Sequence, residues 1–135
     1  MPPKPVEVAD TISIYDPALD KWFEGNWNIF YQQDTSKYAA INFSSVGDST
    51  VIGGTPGKKI LLYSIWLTIG SETNITFKDG STNISGPMDF AGASEPRGIV
   101  VPLLALPIQL GEGNSFVINS SSAAQVSGTA VYRLD

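Results

Sequence analysis

The stretch KILLYSIWLTIGSETNITFKDGST, Lys59–Thr82, decides the fold. Its first part is a long apolar strand, followed by a short polar break and a second strand that enters an Asp79-Gly80 turn. Side chains alternate across a strand, so Leu61, Tyr63, Ile65, Leu67 and Ile69 share one face and form an unbroken apolar row. The other face is mixed: Ile60, Leu62, Ser64, Trp66 and Thr68. Ile75 and Phe77 continue the apolar row, while Asn74, Thr76 and Lys78 face away. The pattern predicts a hairpin in a sheet with one face in a core, the odd row from Leu61 to Phe77. Trp66, between Ser64 and Thr68, is too large and apolar for a wet face, and is expected to be covered by residues 18–33 or by a neighbouring subunit.

Working outward, the chain reads as about seven to nine short strands separated by Gly, Ser, Asn and Pro turns, with no convincing amphipathic helix. Thr11–Tyr15 reads as a short strand before an Asp16-Pro17 turn, and the start of residues 18–33 as a helical turn weakened by Gly25 and Asn26. Ala39–Phe43 is a weak strand, Gly53–Gly57 a loop, and Ile99–Val101 a strand. Pro102 and Pro107 bracket Leu103–Leu106, which fits a bulged strand or an edge segment crossing between sheets, because proline donates no ladder hydrogen bond. Phe116–Asn119 and Val126–Leu134 close the set, the last with Val126, Gly128, Ala130, Tyr132 and Leu134 on one face. This spacing implies an all-β fold, a jelly-roll-like antiparallel β-sandwich over residues 16–135. Pro2, Pro3 and Pro5 point to an extended N-terminal arm over residues 1–15, either mobile or ordered only against a neighbour.

Composition narrows the chemistry. The 135 residues are 42% hydrophobic and 16% charged, against a usual charged share of roughly 25%, so disorder does not fit the body of the chain. The net charge of −5 and the absence of any basic run beyond Lys58-Lys59 argue against a nucleic-acid groove. There is no Cys and no His. That removes thiolate and Ser-His-Asp nucleophiles and zinc sites built on those ligands. No membrane span or secretory leader is expected, since no apolar run approaches roughly 18 residues.

What remains is weaker. Glu24, Asp34, Asp89 and Glu95 are the carboxylates available for glycoside hydrolysis, but they stand singly in predicted loops. The glycine loop lacks a phosphate-binding motif and precedes a strand instead of opening a helix. No catalytic, cofactor-binding or metal residue is assigned. The aromatic cluster of Trp22, Phe23, Trp27, Phe30 and Tyr31 has two readings: a platform for sugars or another protein, or rings filling an end of the sandwich or a subunit seam.

Two segments, KILLYSIWLTIGSETNITFKDGSTNISGPMDF and GIVVPLLALPIQLGEGNSFVINSSSAAQVSGTAVYRLD, carry a resemblance. A strand runs into TFKDGST and ISG, a proline-interrupted apolar stretch follows, and FVINSSSAAQVSGTAVY closes the domain. Over residues 58–135 this resembles the small β-sandwich virion proteins of tailed phages, notably capsid decoration (cement) proteins and sometimes tail or fibre modules. The resemblance implies a structural protein, not an enzyme, made in the host cytoplasm and placed on the outer capsid surface of the virion. Its partners would be the major capsid protein and further copies of itself, as a homotrimer or a dimer. Capsid or subunit contacts are expected from Pro2, Pro3, Pro5, Trp22, Phe23, Trp27, Phe30, Tyr31 and Trp66. The alternative is a tail or fibre module in which Trp22, Trp27 or Trp66 stacks on a host glycan.

Overall fold

The computed structural model describes residues 11–16 and 21–26 as backbone and residues 36–135 in full. The chain divides into two units, Met1–Thr35 and Ser36–Asp135. In the first, β1 (Thr11–Asp16) pairs antiparallel with β2 (Lys21–Asn26), from Thr11 opposite Asn26 to Asp16 opposite Lys21. The strand expected at Thr11–Tyr15 is present, whereas the helical turn expected next gives way to strand at Lys21–Asn26. Pro2, Pro3, Pro5, Trp27, Phe30 and Tyr31 lie outside the described residues.

The second unit is a sandwich of two antiparallel sheets, with no helix among the described residues. Sheet I is built on β5 (Ile60–Ile69), which pairs on one side with β12 (Val126–Leu134). Beyond β12 lies the edge strand β3 (Lys37–Phe43). On the other side of β5 lie β9 (Gly98–Val101) and β10 (Ile108–Gln109). Sheet II has the order β4 (Gly47–Ile52), β11 (Phe116–Ser120), β6 (Thr73–Asp79). Its far edge is β7 (Thr82–Asn83) with β8 (Met88–Phe90).

The main core lies between the sheets. Ile41, Ile60, Leu62, Ile65 and Ile69 from sheet I meet Ile52, Ile75, Phe77, Phe116 and Ile118 from sheet II. Phe77 and Phe116 pack as tilted rings with centroids 5.8 Å apart. Each such side chain contributes about 1.5–3 kcal/mol on burial, so this seam dominates the stability of the unit.

Two expectations from the opening stretch need correction. First, β5 and β6 are not a hairpin, because they belong to different sheets and pair with different strands. Both carry an apolar row, and Gly70–Glu72 fold the chain over so that the rows face each other across the core instead of lying side by side. Second, the odd row is broken. The β5–β12 register runs from Val131 opposite Ser64 directly to Tyr132 opposite Leu62, leaving Tyr63 as an inserted residue. Such a bulge reverses the parity of every side chain beyond it. Ile65, Leu67 and Ile69 therefore face the main core together with Ile60 and Leu62. Leu61 and Tyr63 turn to the outer face, where with Val131 they form a second buried cluster.

Pro102–Pro107 lies at the edge of sheet I and does not cross to sheet II, since β9 and β10 on either side of it both pair with β5. It is an excursion from one interrupted edge strand. It spans the bulge, and the Leu104 N–H donates to the Tyr63 carbonyl at 2.8 Å.

Candidate protein interaction surface

Strand parity gives each sheet an outer face, and the two differ in chemistry. On sheet II the outward residues are mainly polar, with Val117 of β11 a buried apolar exception opposite Lys78. Lys78 Nζ lies 2.8 Å from Asp48 Oδ2, and Asn119 Nδ2 donates to Asp48 Oδ1 at 2.7 Å. The Lys78 hydrogen bond, then that of Asn119, holds the Asp48 carboxyl below its usual range. These bonds tie β4, β11 and β6 together on the solvent side.

On sheet I the outward residues are aromatic and aliphatic. Trp66 stands opposite Val100 of β9 and Thr129 of β12. It is 39% exposed, and Val100 is 74% exposed. Tyr38 of β3, opposite Val131, is also exposed. The excursion adds Leu103 and Leu106, the latter 86% exposed. Among the described residues, the large exposed apolar side chains fall on sheet I or its interrupted edge, apart from Val46 and Ile84. The concentration of apolar area on one face makes it the candidate interaction surface.

Local physics explains part of the apolar character of this face. The bulge moves Leu61 and Tyr63 outward, and Pro102–Pro107 lifts Leu103 and Leu106 away from the ladder. The Ser64 hydroxyl donates to the Val101 carbonyl at 2.6 Å, fixing β9 beside Trp66. The Tyr63 hydroxyl is buried with no hydrogen-bond partner among the described residues, an expensive state for a polar atom.

Of the residues expected to make contacts, the structure places Trp66 on this face. Trp22 and Phe23 are placed by backbone alone, in β2 opposite Tyr15 and Ile14. The cover expected for Trp66 from residues 18–33 lies outside the residues whose side chains are described. Tyr38, Val100, Leu103 and Leu106 were not foreseen. The signal for the leucines was present in Pro102–Pro107, since an apolar run that cannot enter a ladder has to surface or bury elsewhere.

Of the other candidate groups, Glu95 and the glycine loop take structural roles, while Asp34 and the side chain of Glu24 lie outside the described residues. The Gly92 N–H donates to Glu95 Oε2 at 2.8 Å, so this carboxylate closes its own turn. Asp89 is exposed on β8. In the glycine loop, the Gly54 N–H donates to Ser115 Oγ and the Gly113 N–H to the Lys58 carbonyl. Any β-carbon on Gly54 would run into the Gly113 carbonyl, so glycine here serves a close approach between two loops. Asp79 completes this end of the sandwich by accepting from the Gly111 N–H at 3.0 Å and from Asn114 Nδ2 at 2.9 Å. Comparison with family models, with curated proteins and with solved structures gave no match for the chain.

Proposed function

We propose that this chain is a structural protein of a tailed-phage virion, a decoration or cement protein that binds the major capsid protein lattice through the outer face of sheet I. The observation that carries the reading is the asymmetry of the sandwich: one outer face is a polar, ion-paired surface and the other presents Tyr38, Trp66, Val100 and the Leu103–Leu106 excursion. A lattice-binding protein needs such a one-sided contact surface and no catalytic centre. The resemblance over residues 58–135 supports the same role, and a jelly-roll-like strand path and an outer-capsid location belong with it. The arm, with Pro2, Pro3 and Pro5, is assigned a contact on a neighbouring subunit, where its restricted backbone lowers the entropy lost on docking.

Trp66 also favours a second reading, a tail or fibre module stacking a sugar on that ring. Antibody labelling of intact virions separates the two. Label over the heads is expected. A chain absent from virions, or confined to the tail, overturns the capsid assignment, and saturable glycan binding lost in Trp66→Ala would then establish the second reading. Deleting residues 1–10 is expected to lower the copy number per head while the isolated sandwich stays folded.

A further inference from the structure

A β-sheet edge is a row of unpaired N–H and C=O groups, and folded proteins blunt it with short strands, prolines, bulges or charges. Among the described residues of this sandwich, three edges are blunted. The β9–β10 edge is interrupted by Pro102–Pro107. The β7–β8 edge consists of two-residue and three-residue pieces with Gly86-Pro87 between them. The β4 edge opens on Gly47 at φ 94°, carries Asp48, and has a register shift against β11 between Phe116 and Val117.

The fourth edge is different. β3, KYAAINF, pairs with β12 in unbroken register over all seven residues. It contains no proline and no glycine, and one charge, Lys37 at its end. Its other edge has no strand partner among the described residues. Nothing in this strand opposes the addition of another.

We infer that β3 is a strand-addition site whose occupant is the β3 of a second copy, paired antiparallel about a two-fold axis at Ala40. In that register Lys37 faces Phe43 of the second copy, Tyr38 faces Asn42, and Ala39 faces Ile41. The strand is self-complementary in this arrangement. Its two lysines lie at opposite ends of the joint, about 20 Å apart by strand rise and beyond a Debye length of about 8 Å. A parallel pairing would set the lysines side by side. The small Ala39 and Ala40 sit at the axis, where the chains come closest. Ala39 and Phe43, both half-buried against the main core, gain cover from the second copy.

Charge also permits the contact. Residues 36–135 hold six basic and seven acidic residues, so two sandwiches meet almost without net repulsion although the whole chain carries −5. The product is one continuous sheet through both copies, with each contact made twice by symmetry. On the outer face this sheet brings the two Tyr38 side chains into one surface. The inference stands on the edge alone and does not depend on the capsid reading.

The test uses sedimentation equilibrium of the full chain, with Ala40→Asp and Ala40→Lys as variants. Ala40 is exposed, so both variants keep the fold, which circular dichroism checks. The wild-type chain is expected to be a dimer. Each variant is expected to be a monomer, because like charges meet at the axis, and an equimolar mixture of the two is expected to dimerise again. In the same samples, alternate β3 amides should be protected from hydrogen exchange in the wild-type chain and exposed in Ala40→Asp. A wild-type chain that stays monomeric or forms a trimer overturns the inference. So does a dimer that survives both substitutions, or a variant mixture that remains monomeric.

Discussion

The two sheets of the sandwich solve the same burial problem and then diverge on the side away from the core. Sheet II keeps unbroken alternation through β6, where Ile75 and Phe77 are buried inward and Lys78 reaches outward to Asp48. Sheet I breaks alternation once, at Tyr63, and interrupts its edge once, at Pro102–Pro107. Both breaks push apolar side chains to the outside. The difference teaches that departures from regular strand geometry supply part of this face, the outward Leu61–Tyr63 cluster and the Leu103–Leu106 excursion, while Tyr38, Trp66 and Val100 stand in regularly paired strands.

The largest test of that contrast is Gly128→Ala. A β-carbon at Gly128 would run into the Trp66 carbonyl and lie 2.6 Å from Leu67 Cα, backbone that cannot move aside cheaply. Strands β6 and β11 of sheet II contain no glycine. The substitution should cost about 2–4 kcal/mol, read from the urea midpoint at unchanged slope. A loss within about 0.5 kcal/mol would show that sheet I tolerates side chains as sheet II does.

Next comes binding. Trp66→Ala should weaken capsid occupancy about tenfold or more, the scale of a truncated aromatic anchor, while Lys78→Ala on the opposite face leaves occupancy unchanged. Equal losses from both would erase the functional distinction between the faces.

Tyr63→Phe removes the unpartnered buried hydroxyl and should stabilise the isolated chain by about 1 kcal/mol, measured by thermal unfolding. Destabilisation instead would mean that the hydroxyl has a bonding partner in solution.

The smallest effect belongs to sheet II. The Asp48–Lys78 pair is a surface contact, so a double-mutant cycle should give about 0.2–1 kcal/mol, shrinking with salt. Because the folded Asp48 carboxyl titrates below its unfolded value, its contribution is present at neutral pH. It is lost as pH falls below about 4 and through the depressed folded value. Asp48→Asn should flatten that part of the stability profile.

How much of this was legible depends on what each residue reports. Val126–Leu134 was bounded correctly, with its inward row intact, because a central strand paired on both sides expresses alternation without interruption. The odd row of β5 was right from Ile65 onward and inverted before it, since no local residue type announces a one-residue bulge. The hairpin at Lys59–Thr82 failed for a related reason: two apolar rows joined by three residues suit a hairpin and an inter-sheet fold equally, and the partners β11 and β12 lie far along the chain. Two-residue strands such as β7 and β10 carry no periodicity to detect. Trp66 was legible as a surface anomaly because its size conflicts with its neighbours Ser64 and Thr68. Tyr38 and Val100 were not, because their exposure follows from where β3 and β9 fall in the sheet.

The placement of β12 has a consequence for synthesis. β3 and β5 both hydrogen-bond to β12 and not to each other, and β12 is made after the other eleven strands among the described residues. Sheet I therefore cannot close while Val126–Leu134 remains inside the ribosome. Until then the ten-residue apolar strand β5 waits without its principal partner, a state that invites pairing with other nascent chains. Folding on this plan is dominated by distant contacts, so it is slow for the size of the unit.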